Sequence, residues 1–288
     1  MQAIKSFVQR HPLATFFALA YLFTWLGWVM PERIYTGTTL TFILAGPFFL
    51  MLAGPLLASL IVTAIIGGKD GLIALLRKFT IWRVGWQWYV VALLLTPAIS
   101  LAALYLNTLF GAPVPTAALF GSVSGLLITF ATRLVHPFDG PLQEELGWRG
   151  FALPRLQERY SALTANLILG VMVVIWHLPL VLMGMLPAHL LIATLAFTVV
   201  FGWIVNNTKG SVLLVLIAHA ADGLFILRNL GLSDVDTTRL TWLQAAVWVV
   251  VAVIVVLRYG PTLVRKPAQV GGVATTAPAA LSNLSNNV

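Results

Sequence analysis

Long apolar runs, broken by short clusters of charge, set the pattern of this chain. No Asp, Glu, Lys or Arg occurs over 34–68, 84–132 or 160–208, and shorter charge-free runs cover 11–31 and 240–257. A helix that crosses a bilayer needs about 20 consecutive, mostly apolar residues. The 84–132 and 160–208 runs are therefore each long enough for two crossings, with turns legible as GAPVP (111–115) and GMLPAH (184–189). The pattern predicts spans near 12–30, 42–66, 88–110, 116–134, 162–183, 188–206, 211–229 and 240–258. The expected architecture is an all-α, polytopic membrane helix bundle of about eight transmembrane helices, with N- and C-termini cytoplasmic.

Composition agrees with that pattern. Hydrophobic residues make up 59% and charged residues 9%, against roughly 25% charged in soluble domains. The net charge of +8 follows from topology. With a cytoplasmic N-terminus, eight spans put 14 of the 17 Lys and Arg inside and leave only Arg33, Arg228 and Arg239 outside, as the positive-inside rule requires. Nucleic acid is not needed to explain the charge. The first span has no small-residue cleavage site after it and reads as a retained anchor. The chain has no cysteine, which excludes disulfides, thiolate metal sites and a cysteine nucleophile.

The domain reading is an N-terminal set of spans over 1–114, a core over 115–230, a last span within 231–264 and a disordered Ala/Thr/Ser/Asn/Pro tail over 265–288. Residues 67–87 form a cytoplasmic connection whose apolar positions, Leu72, Ile73, Leu75 and Leu76, oppose Lys69, Arg77 and Lys78. Trp82, Trp86 and Trp88 follow at an interfacial level. The LAGP echoes at 44–47 and 52–55 predict a helix kinked or closely packed at Gly-Pro. GSVSG at 121–125 has Val123 where a GxSxG serine would stand, and reads as small residues for close helix packing.

The chemistry concentrates in PLQEELGWRGF, residues 141–151. Only nine acidic residues exist in the chain, and charge at membrane depth persists mainly where it pairs, lines a wet cavity or reacts. Pro141 suits a first helical turn, and a helix from about 141 to 152 carries the glutamates near its N-terminus. Glu145 and Arg149 are four apart and share a face, while Glu144 is turned about 100° away. One carboxylate is thus clamped and the other left freer, the division by which paired carboxylates take separate roles. His177 and His219 lie inside predicted spans, and Asp222, three residues on, is placed to orient the His219 imidazole.

EELGWRGFALPRL, then WHLPL, then GSVLLVLIAHAA resembles, in order and spacing, the CPBP family: type II CAAX prenyl endopeptidases and related bacteriocin-processing and immunity membrane proteins. The resemblance covers about 115–230. It implies a polytopic endopeptidase with catalytic Glu144, His177 and His219, and with Glu145 and Arg149 completing the first motif. Two positions depart from the family pattern. Val173 stands where a phenylalanine is usual, and Gly223 replaces the asparagine of the third motif. If that asparagine donates to a tetrahedral oxyanion, its loss costs about 10²–10³ in rate.

The mechanism this implies uses Glu144 as general base on a water shared with His177, with His219 on the developing oxyanion. No cofactor is required. A zinc version would use Glu144, His177 and His219 as ligands around an open water position. The partners expected are a membrane-bound peptide or protein substrate and the lipid bilayer. The location expected is integral and multi-pass, in a bacterial or archaeal plasma membrane. The competing readings are a non-catalytic immunity or scaffold protein of the same fold and, with less support, a secondary transporter, for which two symmetric halves are missing. One geometric tension stands. At 1.5 Å per residue, His177 lies about 24 Å and His219 about 12 Å from the inner ends of their spans. A shared site then needs helix tilt, a late start to the fifth span, or entry of the Glu144 helix into the membrane.

Overall fold

The computed structural model describes residues 2–34, 47–116, 121–136, 140–224 and 231–264. All regular structure in these residues is helical. Helix α1 (Gln2–Arg10) leads into α2 (Pro12–Ile34), with Pro12 at the first position, where a missing N–H costs nothing. Next come α3 (Pro47–Leu76), a 3₁₀ turn (Arg77–Thr80) and α4 (Trp86–Thr108). Then follow α5 (Val123–Val135), α6 (Gly140–Glu145), a π-helix (Leu146–Ala152) and α7 (Leu153–Gln157). The last four helices are α8 (Ala162–Leu182), α9 (Leu190–Asn207), α10 (Val212–Asp222) and α11 (Asp234–Tyr259).

Serine begins four of these helices for a common reason. The side chains of Ser122, Ser161, Ser211 and Ser233 accept from the backbone N–H three residues on, at Gly125, Thr164, Leu214 and Asp236. Each cap satisfies an orphan donor and is worth about 1 kcal/mol. GSVSG is thereby explained differently from the expectation. Residues 121–125 are exposed, and Ser122 is a helix cap rather than part of a packing seam.

Among the described residues, five helical segments are long and apolar enough to cross a membrane: Ala53–Thr80, Trp86–Thr108, Ala162–Leu182, Leu190–Asn207 and Asp234–Thr262. Pro12–Trp28 and Val212–Asp222 are apolar but shorter, and α5, with 13 residues, reaches about 20 Å. The connection expected over 67–87 is partly helix. α3 breaks at Gly68, whose φ of 57° is left-handed, and resumes to Leu76. The 265–288 tail and residues 44–46 of the first LAGP echo fall outside the described residues.

Between helices in lipid, close packing and hydrogen bonds replace the hydrophobic effect as the main glue. α2 packs along α3, α4 against α10 and α11, and α9 against α8 and α11. Gly54, in the second echo, lies so close to α2 that an added Cβ would stand 2.6 Å from the Ala20 carbonyl oxygen. Polar ties cross the bundle. Tyr21 and the Trp25 indole donate to the carbonyls of Met172 and Trp176, at 2.6 and 3.0 Å. Thr96 donates to the Ala218 carbonyl at 3.1 Å, and Gln244 to Ser100 Oγ at 3.1 Å. Such bonds average about 0.6 kcal/mol. The first two hold α8 beside His177, and the third holds α10 beside His219.

Candidate active site

The segment 140–157 is folded into the bundle. Leu146, Trp148, Phe151, Ala152 and Leu153 have no exposed surface. The π-helix lies against α3, where a Cβ on Gly147 would stand 2.6 Å from the backbone oxygen of Pro55. Only glycine permits that approach. The tension over depth is resolved in this way: the helix carrying the glutamates enters the bundle instead of lying on its surface. One continuous α-helix over 141–152 was expected. The structure instead changes to π geometry after Glu145, a distortion frequent at functional sites, and α-helix resumes at Leu153, with Pro154 in its first turn.

Glu145 is fully buried and serves two donors through one oxygen. Oε1 accepts from Arg149 Nη1 at 3.1 Å and from His219 Nδ1 at 2.7 Å. The Arg149 contact is the one the four-residue spacing predicts. Arg149, 1% exposed, also places its guanidinium carbon 5.4 and 5.2 Å from the ring centroids of Phe197 and Phe201. The contact to His219 was expected from Asp222 and comes from Glu145 instead. A ring nitrogen has one hydrogen to give, and that of Nδ1 is taken. Asp222 Oδ1 is buried without a hydrogen-bond partner.

Glu144 points elsewhere, into a cavity of about 250 Å³ that it lines together with His177 and His219. His177 Nδ1 lies 2.9 Å from the Val173 carbonyl. A carbonyl only accepts, so Nδ1 bears the hydrogen and Nε2 is the atom left for other partners. The Glu145 bond leaves His219 Nε2 free in the same way. A Cβ on Gly140 would stand 2.7 Å from Glu144 Oε1 and 3.5 Å from His219 Nε2, so the carboxylate and that nitrogen face one small space. Arg149 and Asp222 complete the charged lining. The rest is apolar, including Leu186, Leu190 and Phe197.

Three residues of this environment escape sequence reasoning. Gln244 and Thr194 also line the cavity. A glutamine inside the 26-residue apolar α11 was the available signal for the first. Arg133 left no such signal and counted only toward topology. Its guanidinium caps α10, with Nε donating to the Ala220 carbonyl at 3.1 Å and Nη2 to that of His219 at 3.4 Å. It fills the room a side chain at position 223 would need, since a Cβ there would stand 2.2 Å from Arg133 Cζ. Gly223 is thus coupled to the arginine of α5.

As for a metal, no group of three or more His, Asp or Glu among the described residues is disposed to hold one. The zinc donor set drawn from the sequence, Glu144, His177 and His219, lines one cavity but forms no such group.

Residues 124–225 match the family model of the type II CAAX prenyl endopeptidases, Rce1-like. This range contains Glu144, Glu145, Arg149, His177, His219 and Asp222. The apolar helices are those of an integral membrane protein, and over this range the chain is similar to the CPBP-type membrane proteases. Among its relatives, CAAX prenyl protease 2 of Methanococcus maripaludis is 25% identical over 227 residues, an alignment covering 71% of this chain and 80% of that protein.

Proposed function

We propose that the protein is an intramembrane endopeptidase that hydrolyses peptide bonds of membrane-associated substrates with a water activated by Glu144 and His177. The observation that carries this reading is that Glu144, His177 and His219 line one cavity within a helix bundle. Glu144 takes a proton from water, His177 Nε2 helps to hold that water, and the resulting hydroxide attacks the scissile carbonyl. The proton then passes to the departing amine, so the carboxylate is regenerated. His219, its Nδ1–H held by Glu145, stabilises the oxyanion through a protonated Nε2, with the Glu145 charge compensating the doubly protonated ring. Arg149 holds Glu145 in place. The apolar wall of Leu186, Leu190 and Phe197 suits a substrate segment that arrives from lipid, and the name of the archaeal relative makes prenylated C-terminal peptides the first to assay. We propose a prokaryotic plasma membrane as the location and, on the distribution of Lys and Arg, a cytoplasmic N-terminus.

A non-catalytic scaffold of the same fold is the second reading, favoured by Gly223 in place of the family asparagine. One experiment separates the two: comparison of membrane peptide profiles from cells expressing wild type, Glu144→Gln or no protein. A protease leaves products in the wild-type profile alone. Identical profiles for wild type and Glu144→Gln, at equal protein levels, would favour the scaffold.

A further inference from the structure

We propose that the recess between Lys78 and Arg155 binds the phosphate of an anionic phospholipid headgroup. The recess has a volume of about 220 Å³, and Lys78 and Arg155 are the only charged residues lining it among the described residues. The rest of its wall includes Ile66, Leu75, Gly67 and Gly71. Both cations are half-buried, and among the described residues neither forms an ion pair with a carboxylate. Backbone carbonyls hold them: Lys78 Nζ donates to Gly150 at 2.5 Å and Arg155 Nη1 to Phe151 at 2.9 Å. The Arg155 guanidinium also sits 3.7 Å over the Phe151 ring. An ammonium has three donors and a guanidinium five, so donors remain in both fixed groups. Two like charges kept partly out of water with no carboxylate lining the recess between them are costly, and an anion there lowers that cost. Burial pulls Arg155 below its ordinary pKa, opposed by the nearby Glu158. Arg155 also faces a second recess of about 270 Å³ with Arg10, His11, Arg159 and Glu158, which keeps the region cationic.

The surroundings favour a lipid over a free anion. Ile73 and Leu76, 37% and 46% exposed on the last turns of α3, offer apolar surface beside the recess for acyl chains. Trp82 and Trp86 are exposed farther along, with Arg83 over the Trp82 ring, as at a membrane–water boundary. Basic pockets between helices at that level are where anionic headgroups bind. Lys78 grips the carbonyl of Gly150, the residue after Arg149, so the recess also abuts the π-helix that supports the candidate active site.

The test uses the full-length protein in nanodiscs of phosphatidylcholine alone or with phosphatidylglycerol, read by native mass spectrometry and by thermal unfolding. A further arm adds millimolar inorganic phosphate to the phosphatidylcholine sample. Wild type should retain phosphatidylglycerol and unfold several degrees higher with it. Lys78→Gln with Arg155→Gln should lose retention about tenfold, and the charge-conserving Lys78→Arg with Arg155→Lys should keep it. Glu144→Gln should bind as wild type does, which makes this result independent of the peptidase reading. Equal retention by the neutralised and wild-type proteins overturns the proposal. So does equal stabilisation by phosphate alone, which would identify a free-anion site. If the neutralised protein does not fold, loss of retention by the charge-conserving pair overturns it instead.

Discussion

Replacing Glu145 by Gln tests a buried carboxylate held from two sides. The side chain keeps its size, but the negative charge disappears and one of the two terminal atoms becomes a donor. Oε1 accepts from Arg149 at 3.1 Å and from His219 at 2.7 Å, and the residues on either side of the ion pair are 0% and 1% exposed. Arg149 would keep its charge in that interior without its ion-pair partner. Breaking a buried pair from one side costs about 3–5 kcal/mol, and each kcal/mol shifts Tm by roughly 2–4 °C in a large domain. The expected result is a fall in Tm of about 10 °C in detergent. Glu145→Gln combined with Arg149→Met should recover a good part of it, because no lone charge then stays buried. Activity should not recover in the double variant, since His219 Nδ1 still lacks a carboxylate partner. A Glu145→Gln Tm within about 2 °C of wild type, a value set by the same scale, would refute the buried clamp. So would strictly additive effects in the double-mutant cycle.

Other outcomes follow from the same geometry. Gly223→Asn, although it reinstates the family residue, should displace the Arg133 guanidinium, whose Cζ would lie 2.2 Å from the new Cβ, from the Ala220 and His219 carbonyls and so lower peptidase activity; pairing it with Arg133→Ala should restore part of the loss, measured as kcat and KM separately. Gly147→Ala forces a methyl against the Pro55 backbone, with 2.6 Å to the oxygen, and should cost about 1–3 kcal/mol with reduced yield of folded protein, read by thermal unfolding. Chelator treatment should leave activity unchanged and metal analysis should find less than one equivalent of zinc; stoichiometric zinc with chelator-sensitive cleavage would restore the metal reading.

How much was legible depended on the range of the interactions involved. Helices such as α4, α8, α9 and α11 were visible because a run of apolar residues is a local property, and a bilayer demands backbone hydrogen bonds within each span. The candidate residues were visible for a related reason, since a carboxylate or imidazole amid apolar sequence stands out. The Arg149–Glu145 contact needed only the four-residue spacing.

Partners distant in sequence were not legible. Glu145, not Asp222, takes the His219 Nδ1 hydrogen because the 140–157 segment enters the bundle, and the spans alone do not reveal its depth. The π geometry after Glu145 and the seat of Gly147 on Pro55 depend on α3. Arg133 covers Gly223 only because α5 packs against α10. Hydropathy and spacing in this chain determined which groups lie among apolar helices and which near neighbours share a face. Tertiary packing decided which atom each group bonds, because hydrogen bonds and steric contacts act over about 3 Å, a distance that sequence order does not encode.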